Sequence, residues 1–98
     1  MKLKQVAKEY YSSHDYKNLR DETKAHYLYC LTNALATSVD GVVIGEVDVT
    51  KMSTKQAKLS YDLWCDRGIS TANHIMAVTR IIFNYAVRME HCNINPFA

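Results

Sequence analysis

Four histidines, three cysteines, seven tyrosines and ten carboxylates are the side chains of this sequence that could do chemistry. His26 and Cys30 stand at i, i+4 on one helical face, a spacing that can hold two zinc ligands, but no second pair with ligand spacing accompanies them. The pair reads as a half-exposed histidine beside a small apolar thiol. His91 and Cys92 are adjacent near the end of the last helical segment, where a cation favours the helix dipole. His14 falls in a connector. Asp62 and Asp66, also at i, i+4, read as a solvated face rather than an acid/base dyad, which sets their helix aside as a DNA contact. A nucleophilic tyrosine needs arginines and a base around it, and Arg20, Arg67, Arg80 and Arg88 show no paired arrangement. There is no Gly-rich phosphate loop, G-x-S-x-G or H-E-x-x-H. The expectation is a chain without catalytic residues, metal or cofactor of its own.

These side chains must be positioned by helices. Leu3, Val6, Ala7, Tyr10 and Tyr11 predict a short amphipathic first helix, followed by a connector over 12–19 rich in Ser, Asp and Asn. Asp21 is the expected N-cap of a second helix reaching about Thr37. Its apolar arc is Tyr27, Leu28, Leu31, Ala34 and Leu35, with His26, Tyr29, Cys30 and Asn33 opposite. Residues 38–50 carry β-branched side chains and two glycines. A hairpin turning near Gly45 is one solution, and a packed irregular connector is preferred because two strands with no sheet to join are marginal.

Ser53-Thr54-Lys55-Gln56 has the form of a capping box and starts a third helix, with Ala57, Tyr61, Leu63 and Trp64 facing inward and Gly68 ending it. Ile69 is expected to fold back onto its last turn. Ser70 is the expected cap of a fourth, central helix to about Glu90. That helix has Ile75, Val78, Ile82, Tyr85, Ala86 and Met89 on one arc and a polar stripe of Asn73, Ala77, Arg80, Asn84, Arg88 and His91 on the other. Asn95-Pro96 stops the pattern and reads as a domain boundary.

Composition bounds the rest. The 98 residues, 48% hydrophobic and 22% charged, make one small domain with a modest core and little room for separate substrate and cofactor lobes. One proline and three glycines are too few for the turns of an all-β fold. The +2 formal charge does not by itself mark a nucleic-acid binder. It is distributed as +2 over residues 1–30, −1 over 31–69 and +1 over 70–98, so an anion-binding face would draw on both ends of the chain. The odd, widely spaced Cys30, Cys65 and Cys92 suit a reducing cytoplasm, and no stretch approaches the roughly 18 apolar residues of a membrane span.

The order of signals resembles one known family. Tyr10-Tyr11, Tyr16-Lys17-Asn18-Leu19, Thr23-Lys24-Ala25-His26-Tyr27, Val49-Thr50, Trp64-Cys65-Asp66-Arg67-Gly68, Ser70-Thr71-Ala72-Asn73, Arg80 through Val87, and Ile94-Asn95-Pro96-Phe97 together resemble the core-binding domain of phage integrases, the tyrosine recombinases. The resemblance spans essentially the whole chain. It implies an all-α fold, a four-helix SAM-like orthogonal bundle over residues 1–98 with a long irregular connector around 38–50. It also implies a separate C-terminal catalytic domain, missing here, with which the bundle clamps double-stranded DNA at a recombination core site.

Carried over position by position, the DNA-facing residues are Thr23, Lys24, His26 and Tyr27 at the start of the second helix, and Ser70, Thr71, Asn73, His74, Ala77 and Arg80 on the fourth. The helical wheel puts Tyr27 in the core and Ala77 offers no polar group, leaving Thr23, Lys24, His26, Ser70, Thr71, Asn73, His74 and Arg80 as DNA-binding candidates. Asp21-Glu22 departs from the family pattern and would repel phosphate. The implied protein is a monomeric, DNA-binding fragment of a bacterial or prophage-encoded cytoplasmic recombinase; the alternative is a small helical module whose polar stripe and Tyr29 meet another protein.

Overall fold

The computed structural model describes all 98 residues. There are five helices, α1 (Leu3–Tyr11), α2 (His14–Lys17), α3 (Asp21–Ala36), α4 (Thr54–Cys65) and α5 (Ile69–Arg88), and α1, α3 and α4 pack on the last and longest. Between α3 and α4 lie two short strands, β1 (Ser38–Val39) and β2 (Val42–Val43), and a 3-10 turn over Ile44–Glu46. None of the helices is long and apolar enough to cross a membrane.

The helix α1 buries Leu3, Val6, Ala7 and Tyr10, the stripe its periodicity predicts. The connector that follows is not irregular throughout. The Ser13 hydroxyl accepts the Tyr16 amide at 3.3 Å and starts the single turn α2, which makes five helices rather than four. Two helix starts also differ from expectation. The cap of α3 is Arg20, with extended backbone and no side-chain bond, so Asp21 and Glu22 fall inside the first turn and meet the positive end of the dipole instead. The cap of α5 is Gly68, whose φ of 115° a side-chain-bearing residue rarely adopts. That conformation reverses the chain so tightly that α5 begins at Ile69, one residue before the expected cap Ser70. Ile69 points to solvent, 68% exposed, rather than folding back onto α4.

Residues 38–50 correct a second expectation. Residues 38–43 form a true hairpin that turns at Asp40-Gly41 rather than at Gly45, with Ser38 opposite Val43 and Val39 opposite Val42, and the rest of the segment is a 3-10 turn and packed connector. Both turn residues have positive φ, 52° and 79°, as a type I′ turn requires, and Asp-Gly suits that geometry. The hairpin is not isolated: Val39 is buried and packs into the core, which supplies the support two strands lack alone. Gly45 serves close approach instead. A Cβ there would stand 2.7 Å from the Leu35 carbonyl oxygen, so only glycine lets the 3-10 turn seat against the end of α3.

The capping box of α4 is present, with Gln56 N–H donating to Ser53 Oγ at 3.0 Å and Ser53 N–H to Gln56 Oε1 at 2.9 Å. Its buried face is Ala57, Ser60 and Trp64, while Leu63, expected inside, is 46% exposed. Trp64 Nε1 donates to Thr37 Oγ1 at 2.8 Å, and Thr37 Oγ1 donates to the Asn33 carbonyl at 2.8 Å, locking α4 to the end of α3. On α3 the buried positions are Cys30, Leu31 and Ala34, and Leu28 is 48% exposed. The inward arc is rotated toward Cys30 because α3 packs on α5 along one flank and against the 3-10 turn along the other.

Central to the core is α5, which buries Ala72, Ile75, Val78, Ile82, Phe83 and Ala86 along its length. Met89, expected on that arc, stands at the helix end and is half exposed. The helix closes in a Schellman motif: Glu90 N–H donates to Val87 O at 3.0 Å and His91 N–H to Ala86 O at 2.9 Å, with Glu90 at φ 63° in the place glycine usually takes. His91 then leaves the polar stripe and places Nε2 3.0 Å from Glu9 Oε1, the oxygen that also accepts from Tyr85 Oη at 3.0 Å. The helix thus ends several residues before Asn95-Pro96, which does not stop it as expected, and Phe97 beyond that pair belongs to the core. Phe97 is 2% exposed, stacked on Trp64 with centroids 6.2 Å apart and tilted on Phe83 at 5.3 Å.

Candidate nucleic-acid interface

The polar stripe of α5 is where the sequence places it. Ser70, Asn73, His74, Ala77, Arg80, Asn84 and Arg88 are all exposed and follow one side of the helix. The first turns of α3 come up beside it. The rings of His26 and His74 meet edge to face at 5.2 Å and 85°. Seven residues further along α3, Asn33 Oδ1 accepts a hydrogen bond from Arg67 Nη1, just before the start of α5. The two segments therefore run antiparallel in register, 26 to 33 against 74 to 67. Tyr29, 56% exposed, lies between His26 and Asn33 on the same side of α3, as i, i+3, i+7 spacing requires.

Within this patch Thr23 and Lys24 are half-buried, and the Lys24 ammonium makes no ion pair. The Tyr16 hydroxyl donates to the Lys24 carbonyl at 3.3 Å, which ties α2 to this end of α3. Asn73 Oδ1 accepts from Tyr61 Oη at 2.6 Å, leaving its amide N–H groups outward. Because Gly68 is the cap, Ser70 and Thr71 sit in the first turn of α5 with no capping duty. That turn has no acidic residue and no side-chain cap, and the space beside Gly68 is open to at least 4 Å. Free N–H groups, two hydroxyls and open backbone are what a phosphate needs at a helix start.

Arg80 stands apart from the other candidates. It lies six residues beyond His74, about 9 Å along the helix. Its Nε donates to the Phe97 carbonyl at 2.9 Å, and its own carbonyl accepts from Asn95 Nδ2 at 3.1 Å. The residue is exposed, but its guanidinium is oriented by the C-terminal tail, leaving the Nη groups to reach outward. Arg67 was missed in the sequence because it follows Asp62 and Asp66 on the same helix. Those carboxylates face the hairpin, whereas Arg67 turns to Asn33; the signal for this was Gly68, which swings the chain at that point.

Lys2 and Lys4 at the N-terminus are engaged away from the face. Lys2 and Lys4 pair with Glu46 at 3.0 and 2.6 Å, which holds the Glu46 carboxyl below its ordinary range, and Arg88 pairs with Asp15 at 2.6 Å. The positive charge of the face comes from Lys24, Arg67 and Arg80, opposed by the exposed Asp21 and Glu22.

His26 Nε2 is 3.7 Å from Cys30 Sγ, and nowhere do three or more His, Cys, Asp or Glu side chains converge as a metal site would need. Burial pushes the Cys30 and Cys92 thiols up, away from thiolate. Burial likewise raises the phenols of Tyr10, Tyr85 and Tyr11, the last to about 12, opposite to the shift an activated nucleophile requires. The chain matches no protein-family model, no curated protein and no solved structure.

Proposed function

We propose that this chain is a double-stranded-DNA-binding domain, the SAM-like core-binding bundle of a tyrosine recombinase of phage-integrase type, acting in the cytoplasm beside a catalytic domain elsewhere in the parent protein. The observation that carries this reading is the meeting of α3 and α5 at His26 and His74, which brings the two segments that the resemblance implies side by side on one polar face. On that face Lys24, Arg67 and Arg80 position phosphates, the free α5 start accepts another, and Asn73, His26 and His74 offer donors and acceptors to base edges. Asp21 and Glu22 keep the isolated affinity low, so the grip depends on the partner domain. The fifth helix and the hairpin are additions to the four-helix plan.

The test is fluorescence anisotropy of a labelled random-sequence duplex titrated with the protein at several salt concentrations. Three phosphate-contacting cations give log K against log[salt] a slope of about −3, from about −0.9 per phosphate neutralised. Lys24→Ala and Arg67→Ala each reduce that slope by about one, the first without lowering Tm and the second while also releasing Asn33 Oδ1. A flat salt response, or no duplex binding at low salt, refutes the reading. Arg80→Ala is a weaker probe, because it also releases the Phe97 carbonyl.

A further inference from the structure

Three carboxylates in the middle of the chain have no partner. Asp40 at the hairpin turn and Asp62 and Asp66 on α4 take part in none of the ion pairs of the fold. They surround a groove of about 410 Å³ between α4 and the hairpin, whose apolar surface is Val39, Leu59 and Leu63. Leu63 is 46% exposed and divides this groove from a second hollow of about 240 Å³ that reaches Trp64 and Arg67. The volume of the α4–hairpin groove by itself falls in the range that receives bulky side chains rather than a single water. Its acidic rim of Asp40, Asp62 and Asp66 repels phosphate, so DNA does not compete for it.

We infer that the α4–hairpin groove is a docking site for a basic amphipathic segment of another protein, leucine-sized side chains seating beside Leu63 and lysines or arginines meeting Asp40, Asp62 and Asp66. The charge pattern selects the occupant. Leu59 and Leu63 at i, i+4, flanked by Asp62 and Asp66 at i, i+4, present an apolar and an acidic row side by side, and the complement is a helix with one apolar and one basic row. The α1 segment of a second copy is not free to fill it, because Lys2 and Lys4, beside the apolar positions of α1, are held by Glu46.

The probe is a dye-labelled synthetic helix of repeating leucine and lysine, read by anisotropy against its lysine-to-glutamate counterpart. The basic peptide is expected to bind and the acidic one not to. Asp62→Asn with Asp66→Asn should weaken binding about fivefold to tenfold, and Leu63→Ser, which leaves the charge unchanged, by about tenfold. All three side chains are exposed, so the variants fold; a thermal melt checks it. Amide shifts on titration should cluster at residues 38–40 and 59–66. Equal binding of both peptides, unchanged affinity in the variants, or shifts centred on His26 and His74 would overturn the inference. So would concentration-dependent dimerisation that excludes the peptide. Duplex binding by the Asp62→Asn, Asp66→Asn protein should be undiminished, which keeps this result separate from the DNA reading.

Discussion

Phe97→Ala tests how far the tail after Pro96 is part of the fold. The ring is 2% exposed and packs on both Trp64 and Phe83, so truncation removes one of the larger buried side chains and uncovers faces of two others. Buried Phe→Ala changes cost about 3–5 kcal/mol, and a site near a chain end relaxes more than the centre of a helix, which places the expected loss near 3 kcal/mol. In a domain whose whole stability is about 5–15 kcal/mol this is a large fraction. It corresponds to a fall in Tm of about 12 °C or more, at about 4–8 °C per kcal/mol for this size. Urea denaturation followed by Trp64 fluorescence measures it, and Phe97→Leu should recover more than half. Because Phe97 and Asn95 together hold Arg80 at both its side chain and its carbonyl, the same change should loosen Arg80. A loss below about 1 kcal/mol would refute the placement of Phe97 in the core.

Two further outcomes follow from local geometry. Glu90→Gly relieves the left-handed backbone at the end of α5 and should raise stability by about 1 kcal/mol, seen as an upward shift of the urea midpoint. Acid unfolding should be steep. Asp48 is held far below its ordinary range by the Thr50 hydroxyl and amide and by the terminal amine, and Glu9 is lowered by His91. Groups depressed in the folded state add stability above their unfolded values, near pH 4, that is lost as pH falls through the folded ones. Melts between pH 5 and pH 2 should therefore drop, and Asp48→Asn should flatten that dependence while leaving the pH 7 to 8 region parallel to the parent protein.

Much of the fold was legible where the determinants are short-range. The i, i+3, i+4 spacing of Leu3, Val6, Ala7 and Tyr10 and the Ser53–Gln56 box depend on residues within one or two turns, and they appear as read. Asp40-Gly41 was equally local and was overlooked because its flanking strands are only two residues each, so the alternation that usually marks a hairpin had no length to show. Cys30 and Leu28 exchanged places for a different reason. A wheel gives the width of an apolar arc, but which edge turns inward depends on the neighbouring elements, here α5 and the 3-10 turn.

The candidate face divides in the same way. That Ser70, Asn73, His74 and Arg80 share one side of a helix follows from 3.6 residues per turn, and the sequence alone determined it. Tertiary structure decided that His26 stands against His74, that Arg67 joins them while Asp62 and Asp66 turn away, and that Lys2 and Lys4 are taken up by Glu46. Each of these joins residues from different elements, and it follows from how α3 and α5 pack and from the sharp turn at Gly68. Periodicity says which side chains travel together; the packing of one helix on another says whom they meet.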